Sequence, residues 1–233
     1  MIFEGCFAVH KPTGMSSYDV IRKIKQLLGR VKIGHAGTLD PFASGVLVVA
    51  IGRKFTKRLD EFQAMQKQYL FTIQLGKTTS TLDPEGDVEA ECDVNTSLTQ
   101  AHIEQECQVF VGDIQQMPPA FSAKKINGKR AYKLAREGKE VVLEPSKVTI
   151  HSLDILAYDA TLKQISCRIT CSKGTYVRSL SRDIAKALGT VGYTLDLVRE
   201  AVGKFEVSAA VRLADLEAYF KENSTLKPNV IHG

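Results

Sequence analysis

The segment of this chain best suited to chemistry is Gly34-His35-Ala36-Gly37-Thr38-Leu39-Asp40-Pro41-Phe42-Ala43-Ser44-Gly45. Its glycines free the backbone for tight turns, and Pro41 restricts Asp40 to extended or turn conformations. A rigid loop of this kind can hold one carboxylate at a fixed angle above the end of a strand. Taken alone, it reads more readily as an ordinary Asp-Pro turn. Other chemistries fail on spacing. No Gly-x-x-x-x-Gly-Lys-Ser/Thr phosphate loop occurs, and His35 has no His-Glu-x-x-His partner for zinc. Asp83-Pro-Glu85-Gly-Asp87 faintly suggests a calcium loop, but position 12 would be Val94, which cannot ligate calcium. Cys167 and Cys171 fall on the same face of a period-two run, Ile165-Ser-Cys167-Arg-Ile169-Thr-Cys171, and read as buried strand residues. No metal site is predicted.

Charge supplies a second candidate. The net charge of +5 is uneven: residues 1–60 carry 10 basic and 4 acidic groups, residues 61–119 carry 2 and 10, and residues 120–147 carry 8 and 3. Clustered Lys and Arg attract a phosphate backbone, because binding releases condensed counterions. Lys124, Lys125, Lys129, Arg130, Lys133, Arg136 and Lys139, with Tyr132 among them, are the best candidate footprint. A solvated helix face accounts for the same charges.

These groups need elements to position them. Phe7–His10 reads as a strand. Ser16 and Ser17 can cap a helix to Leu28, with Val20, Ile21, Ile24, Leu27 and Leu28 on one apolar face. Lys32–Ser44 reads as an ordered loop and Val46–Ile51 as a buried strand. Arg53–Phe62 suggests a helix, Gln68–Leu75 a strand, Gly76–Asp93 an acidic loop, and Thr99–Phe110 a helix. Asn127-Gly128 is a hairpin-turn signal. Strands follow near 147–157 and 162–171, then a helix over Thr175–Leu188, a strand near 195–206 and a short helix near 213–221. Without a regular βαβ rhythm, α+β fits better than doubly wound α/β.

The 233 residues suit one large domain, and 44% hydrophobic with 24% charged residues is ordinary globular composition. A disordered tail, a collagen-like repeat and a coiled coil are excluded. Val46–Ile51 is far shorter than the roughly 20 residues of a membrane helix. Met-Ile-Phe-Glu lacks a basic region ahead of an apolar core, so no secretory signal is expected. Five scattered cysteines without Cys-x-x-Cys fit a reducing compartment. A soluble, cytoplasmic protein is the expectation.

Four ordered blocks, covering roughly residues 5–205, resemble the bacterial tRNA pseudouridine synthase B family. They are Lys11-Pro12-x-Gly14-x-Ser16-Ser17; Gly34-His35-x-Gly37-x-Leu39-Asp40-Pro41-x-Ala43-x-Gly45; Lys67-x-Tyr69 leading to Gly76-x-x-Thr79-x-Thr81-x-Asp83-x-x-Gly86; and Cys171-Ser172-Lys173-Gly174-Thr175-Tyr176-Val177-Arg178-Ser179-Leu180. Gln116-Met-Pro118-Pro119-Ala-Phe-Ser122-Ala123-Lys-Lys-x-x-Gly128-Lys129-x-x-Tyr132 resembles the family's RNA-clamping insertion.

The resemblance implies a pseudouridine synthase fold: a mixed, mainly antiparallel sheet flanked by helices, with a basic insertion at about 116–147. It implies a catalytic domain over 1–207 and only a short helix and tail over 208–233, where many relatives carry a PUA-type RNA-binding domain. The implied activity is isomerisation of uridine-55 in the tRNA T arm, by base flipping and aspartate-dependent cleavage and re-formation of the glycosidic bond. Asp40 matches the essential aspartate, ionised at neutral pH from a reference pKa of about 3.9. Attack on the base or sugar, and removal of a ribose proton, are both open to it. Arg178 matches the arginine that pairs with this carboxylate, and Tyr69 the aromatic residue packed on the target uracil. Tyr176 and Leu197 match pocket-lining positions, His35 a residue beside the extruded base, and Lys11 and Pro12 a motif supporting the pocket. Lys124, Lys125, Lys129 and Arg130 fall to RNA binding. No cofactor is required, since nothing is oxidised or transferred overall. The implied partner is tRNA, bound by a monomer without an obligatory protein partner. A non-catalytic tRNA-folding chaperone, or the same chemistry on another RNA, are the competing functions.

Overall fold

The computed structural model describes residues 3–122 and 143–223, and the backbone of 125–126 and 129–130. In chain order the elements are β1 (Gly5–Lys11), α1 (Ser17–Leu28), β2 (Ile33–Ala36), β3 (Ser44–Ile51), α2 (Arg53–Thr56), α3 (Leu59–Ala64), β4 (Lys67–Leu75), β5 (Lys77–Thr79), β6 (Val88–Glu91), α4 (Gln100–Cys107), β7 (Gly112–Gln116), β8 (Lys125–Ile126), β9 (Lys129–Arg130), β10 (Ser146–Asp159), β11 (Gln164–Cys171), α5 (Val177–Ala187), β12 (Gly192–Val202), β13 (Phe205–Glu206), β14 (Val211–Arg212) and α6 (Leu216–Asn223). They divide into two compact units, one drawn from Met1–Tyr69 and Val198–Gly233, the other from Leu70–Leu197. The expected α+β architecture is present.

The first unit is built on β3. It pairs antiparallel with β1 over its whole length and with β2, and parallel with β12 at Val198↔Ser44 and Arg199↔Gly45. Phe7, Val9, Leu47, Val49 and Ile51 face Val20, Ile21 and Ile24 of α1 and Leu216 and Phe220 of α6. The alternate residues Cys6, Ala8, Val46, Val48 and Ala50 meet Phe55, Phe62, Val202 and Phe205. A strand covered on both faces has no polar side, which is why Val46–Ile51 is continuously apolar. Burial pushes the Cys6 thiol up to about 11, so it is an inert core group.

Helix α1 starts where its polar residues dictate. The Asp19 N–H donates to Ser16 Oγ (3.2 Å), and the Ser16 N–H to Asp19 Oδ2 (3.0 Å), a reciprocal capping box. Hydrogen bonds from Ser16 hold the Asp19 carboxyl below its ordinary value. Ser16→Ala is expected to lower stability by about 1 kcal/mol, read as a shift of the urea midpoint at constant m. An unmoved midpoint would show that packing of the apolar face alone sets this helix start.

In the second unit the strand order is β12-β4-β11-β10-β7. β10 and β11 pair antiparallel from Ile150↔Cys171 to Asp159↔Gln164, with register shifts at Ile150/Ser152 and Ile155/Ala157. Cys167 and Cys171 lie on the buried face of β11, as their spacing requires, and burial raises the Cys167 thiol. Strand β7 lies against β10, with Ser146 opposite Gln116. An Asp113 carboxylate receiving Lys147 Nζ (2.8 Å) and Thr149 Oγ1 (2.7 Å) fastens that edge. These two partners hold the Asp113 carboxyl below its ordinary value.

Several expectations need correction. Lys32–Ser44 is not all loop, because β2 occupies Ile33–Ala36. A strand made by backbone pairing to a buried neighbour shows no alternation of its own. Gly34 also sits so close to α3 that an added Cβ would lie 2.5 Å from Leu59 Cδ1. Arg53–Phe62 is two short helices, since Arg58 leaves helical geometry (φ −96°, ψ 4°) while Phe55 and Phe62 both stay buried. Gly76–Asp93 contains the β5–β6 hairpin, whose strand residues are mostly exposed and so carry no burial pattern. Strand β7 was not foreseen. The hairpin signal at Asn127-Gly128 is flanked by the β8–β9 pair, Lys125↔Arg130 and Ile126↔Lys129.

Candidate active site

Asp40 lies in the link between β2 and β3, and its two neighbours are both held by backbone bonds. Leu39 is gripped by one buried hydroxyl: its N–H donates to Ser17 Oγ (2.9 Å), and the same Oγ donates to the Leu39 carbonyl (3.1 Å). The Pro41 carbonyl accepts from the Gly14 N–H (2.8 Å) and from Lys11 Nζ (3.3 Å). Lys11 is fully buried, and its ammonium also donates to the Pro12 and Met15 carbonyls (2.9 and 2.6 Å). The Ala43 N–H closes the turn onto the Asp40 carbonyl at 3.2 Å. Lys11 thus ties the Pro12, Met15 and Pro41 carbonyls together beside the Asp40 loop.

A second grip comes from Arg199, whose guanidinium is buried. Its Nε donates to the Val46 carbonyl (2.7 Å) and its Nη2 to the Gly37 carbonyl (3.0 Å), one acceptor on each flank of the Asp40 turn. Gly45 lies against the Arg199 backbone with φ +106°, where a Cβ would be 2.3 Å from the Arg199 carbonyl oxygen. Only glycine fits there. His35, on β2 opposite Val49, is half-buried, and Tyr69, on β4, is buried.

In the second unit Tyr176 and Arg178 open helix α5. Arg178 is buried. Its Nη1 donates to Asp83 Oδ2 (3.0 Å) and the Thr81 carbonyl (2.6 Å), and its Nη2 to the Phe121 carbonyl (2.8 Å). Asp83, also buried, is fixed in turn. Its N–H donates to Thr79 Oγ1 (3.0 Å), its backbone carbonyl accepts from that hydroxyl (2.6 Å), and its Oδ1 accepts from the Glu85 N–H (3.0 Å) and from Thr81 Oγ1. The neighbouring Leu82 has φ +60°, an unfavourable conformation for a residue with a branched side chain. Leu197 is buried on β12.

The sequence reading named the second-unit site residues Tyr176, Arg178 and Leu197, but did not single out Asp83, Gln116, Ser17 or Arg199. Arg199 had a signal: it shares the face of Leu197 in a strand, an arginine at a buried position. Asp83 and Ser17 stood inside the quoted blocks, Asp83 weighed only for a calcium loop and Ser17 only as a helix cap. Lys124 lies outside the described residues, as do Tyr132, Lys133, Arg136 and Lys139 and the side chains of Lys125, Lys129 and Arg130. No helix among the described residues is long and apolar enough to cross a membrane.

Comparison with known proteins shows the family to which this chain is similar. Residues 25–177 match the family described as TruB family pseudouridylate synthase (N terminal domain). A tRNA pseudouridine synthase B of Parabacteroides distasonis is 41% identical over 220 residues, covering 92% of both chains. One of Clostridium kluyveri is 43% identical over 218 residues, covering 92% of this chain and 73% of its own. Among solved structures, a chain in a Cbf5-Nop10-Gar1 complex superposes with a TM-score of 0.70 at 27% identity, over 95% of this chain. This chain spans 56% of that one's length. An H/ACA RNP bound to a substrate RNA containing 2'-deoxyuridine gives 0.67 at 25% identity. The chain belongs to the TruB family of pseudouridylate synthases.

Proposed function

We propose that this protein is a tRNA pseudouridine synthase that isomerises uridine-55 in the T arm. The reading is carried by one observation: an Asp40 loop whose flanking residues are both clamped, in a chain aligned over 92% of its length with a tRNA pseudouridine synthase B. A carboxylate so held suits a reaction in which the N1–C1′ bond breaks, the base turns, and C5 bonds to C1′. C5 loses its proton and N1 gains one, so electrons balance without a redox partner. Asp40 is the nucleophile or base, and Arg178 is the cation that keeps its carboxylate ionised and oriented. Tyr69, Tyr176 and Leu197 line the uracil pocket, and His35 stands beside the extruded base. Flipping a uridine out of a folded loop costs a few kcal/mol, offset by stacking and basic contacts.

On the same reading residues 1–207 form the catalytic domain, with the RNA-clamping insertion at about 116–147 and a short C-terminal helix and tail beyond. The enzyme works as a cytoplasmic monomer on tRNA and needs neither cofactor nor obligatory protein partner. Tritium release from T-arm RNA labelled at uracil C5 tests the activity. Release dependent on uridine-55 is expected. Tight binding without release would leave an RNA-binding or RNA-folding protein, and release only from other transcripts would move the substrate.

The basic insertion has its own test. Reversing Lys124, Lys125 and Lys129 to Glu is expected to weaken T-arm RNA binding at least about tenfold and to flatten its salt dependence by about one unit of slope per lost phosphate contact. An unchanged slope would mean that these lysines are solvated side chains only.

A further inference from the structure

Gln116 ends β7 at the root of the insertion, opposite Ser146, the residue at which the chain returns from it. Its side chain is 1% exposed, and the carboxamide is spent on one residue. Oε1 accepts from the Tyr176 N–H at 2.8 Å, and Nε2 donates to the Tyr176 carbonyl at 3.1 Å. A primary amide bonded both ways to one residue's backbone reproduces a rung of β-ladder, with direction as well as distance set. Tyr176 needs such a partner. It precedes α5 in extended geometry (φ −103°, ψ 108°), and no side-chain cap bond is made there.

The stitching continues on both sides. The carbonyl of Met117 accepts from Ser179 Oγ (2.7 Å) and Arg182 Nη2 (3.3 Å), and that of Phe121 from Arg178 Nη2 (2.8 Å). Upstream of Tyr176, Thr175 Oγ1 donates to the Ser172 carbonyl (3.0 Å), while Thr149 and Ser172 exchange two bonds of 2.9 Å. The first stalk of the insertion and the first turn of α5 are therefore one hydrogen-bonded body, with Gln116 at its centre.

We infer that Gln116 is a positioning residue for the uridine pocket: its amide sets the main-chain placement of Tyr176 and ties it to the root of the basic insertion. The inference rests on the proposed function, in which Tyr176 lines that pocket. Gln116 does not itself touch the base. Its loss frees the Tyr176 main chain to shift, and a misplacement of about 1 Å is enough to cost about 100-fold in rate.

The test compares the full chain with Gln116→Met, which removes both bonds, and Gln116→Glu, which keeps the acceptor for the Tyr176 N–H and loses the donor. Single-turnover tritium release, T-arm RNA affinity and thermal midpoints are measured on each. Gln116→Met is expected to lose about 10- to 100-fold in rate, with RNA affinity within about twofold of wild type, since the phosphate contacts that dominate affinity are untouched. Gln116→Glu should fall between the two. A purely structural role would lower the midpoint and leave the folded fraction fully active. Wild-type rates in both variants, or in Gln116→Glu alone should Gln116→Met not fold, would overturn the inference. Wild-type protein inactive on this RNA would instead remove the proposed function, and this inference with it.

Discussion

Asp40→Asn is expected to abolish tritium release, by at least about 1000-fold, or about 4 kcal/mol of transition-state stabilisation, with the fold and RNA binding intact. The amide matches the carboxylate in size, so the bonds that hold the loop, from Ser17 to Leu39 and from Gly14 and Lys11 to Pro41, remain available. What is lost is the anion: a carboxamide neither attacks carbon nor takes a proton at neutral pH. Nor can it pair as an ion with the cation the proposed function assigns to it. RNA affinity comes mainly from phosphate contacts, and removing one anion does not weaken these. Wild-type turnover in this variant would sink the assignment of Asp40. Loss of activity together with a large fall in melting temperature would make Asp40 a loop-forming residue instead.

The parts of this molecule that were legible in its sequence are those whose cause is local. Val46–Ile51 announces a strand buried on both faces, because no position along it tolerates a polar side chain. Ser16 announces a helix start, and its hydroxyl does accept the Asp19 N–H. The order of motifs around Asp40 was specific enough to name a family, which the comparisons then showed. What stayed hidden depends on partners far along the chain. β2 exists because β3 offers it a backbone ladder, and β5–β6 because its turn is organised around Asp83. Asp83 reads as a turn residue until Arg178, 95 positions later, is seen to donate to it. Gln116 likewise has no amphipathic or spacing signature, since its two bonds run to a backbone 60 residues away. Hydrogen bonds to main-chain atoms leave the least trace in a sequence, because any residue can supply the other half.

The Arg178–Asp83 pair should carry a large stability effect. Both side chains are about 95% shielded from solvent, whereas the Arg22–Asp19, Arg58–Glu61 and Lys221–Glu217 pairs are far more exposed. Exposed pairs contribute roughly 0–1 kcal/mol, but removing one member of a buried pair costs about 3–5 kcal/mol. Asp83→Ala is therefore expected to lose about that much in urea unfolding. It also removes the acceptor that Thr81 and the Glu85 N–H use, so the turn holding strained Leu82 loosens with it. Asp83→Asn should cost less, because its carbonyl oxygen can still accept those bonds and only the charge is gone. Pairing Asp83→Ala with Arg178→Met separates the two contributions. If the Arg178–Asp83 contact is the main loss, the double variant is more stable than the sum of the single losses predicts. It is not restored to wild type, since the bonds from Arg178 to the Thr81 and Phe121 carbonyls are also gone. Simple additivity would mean that the ion pair is incidental and that the turn itself is what Asp83 holds.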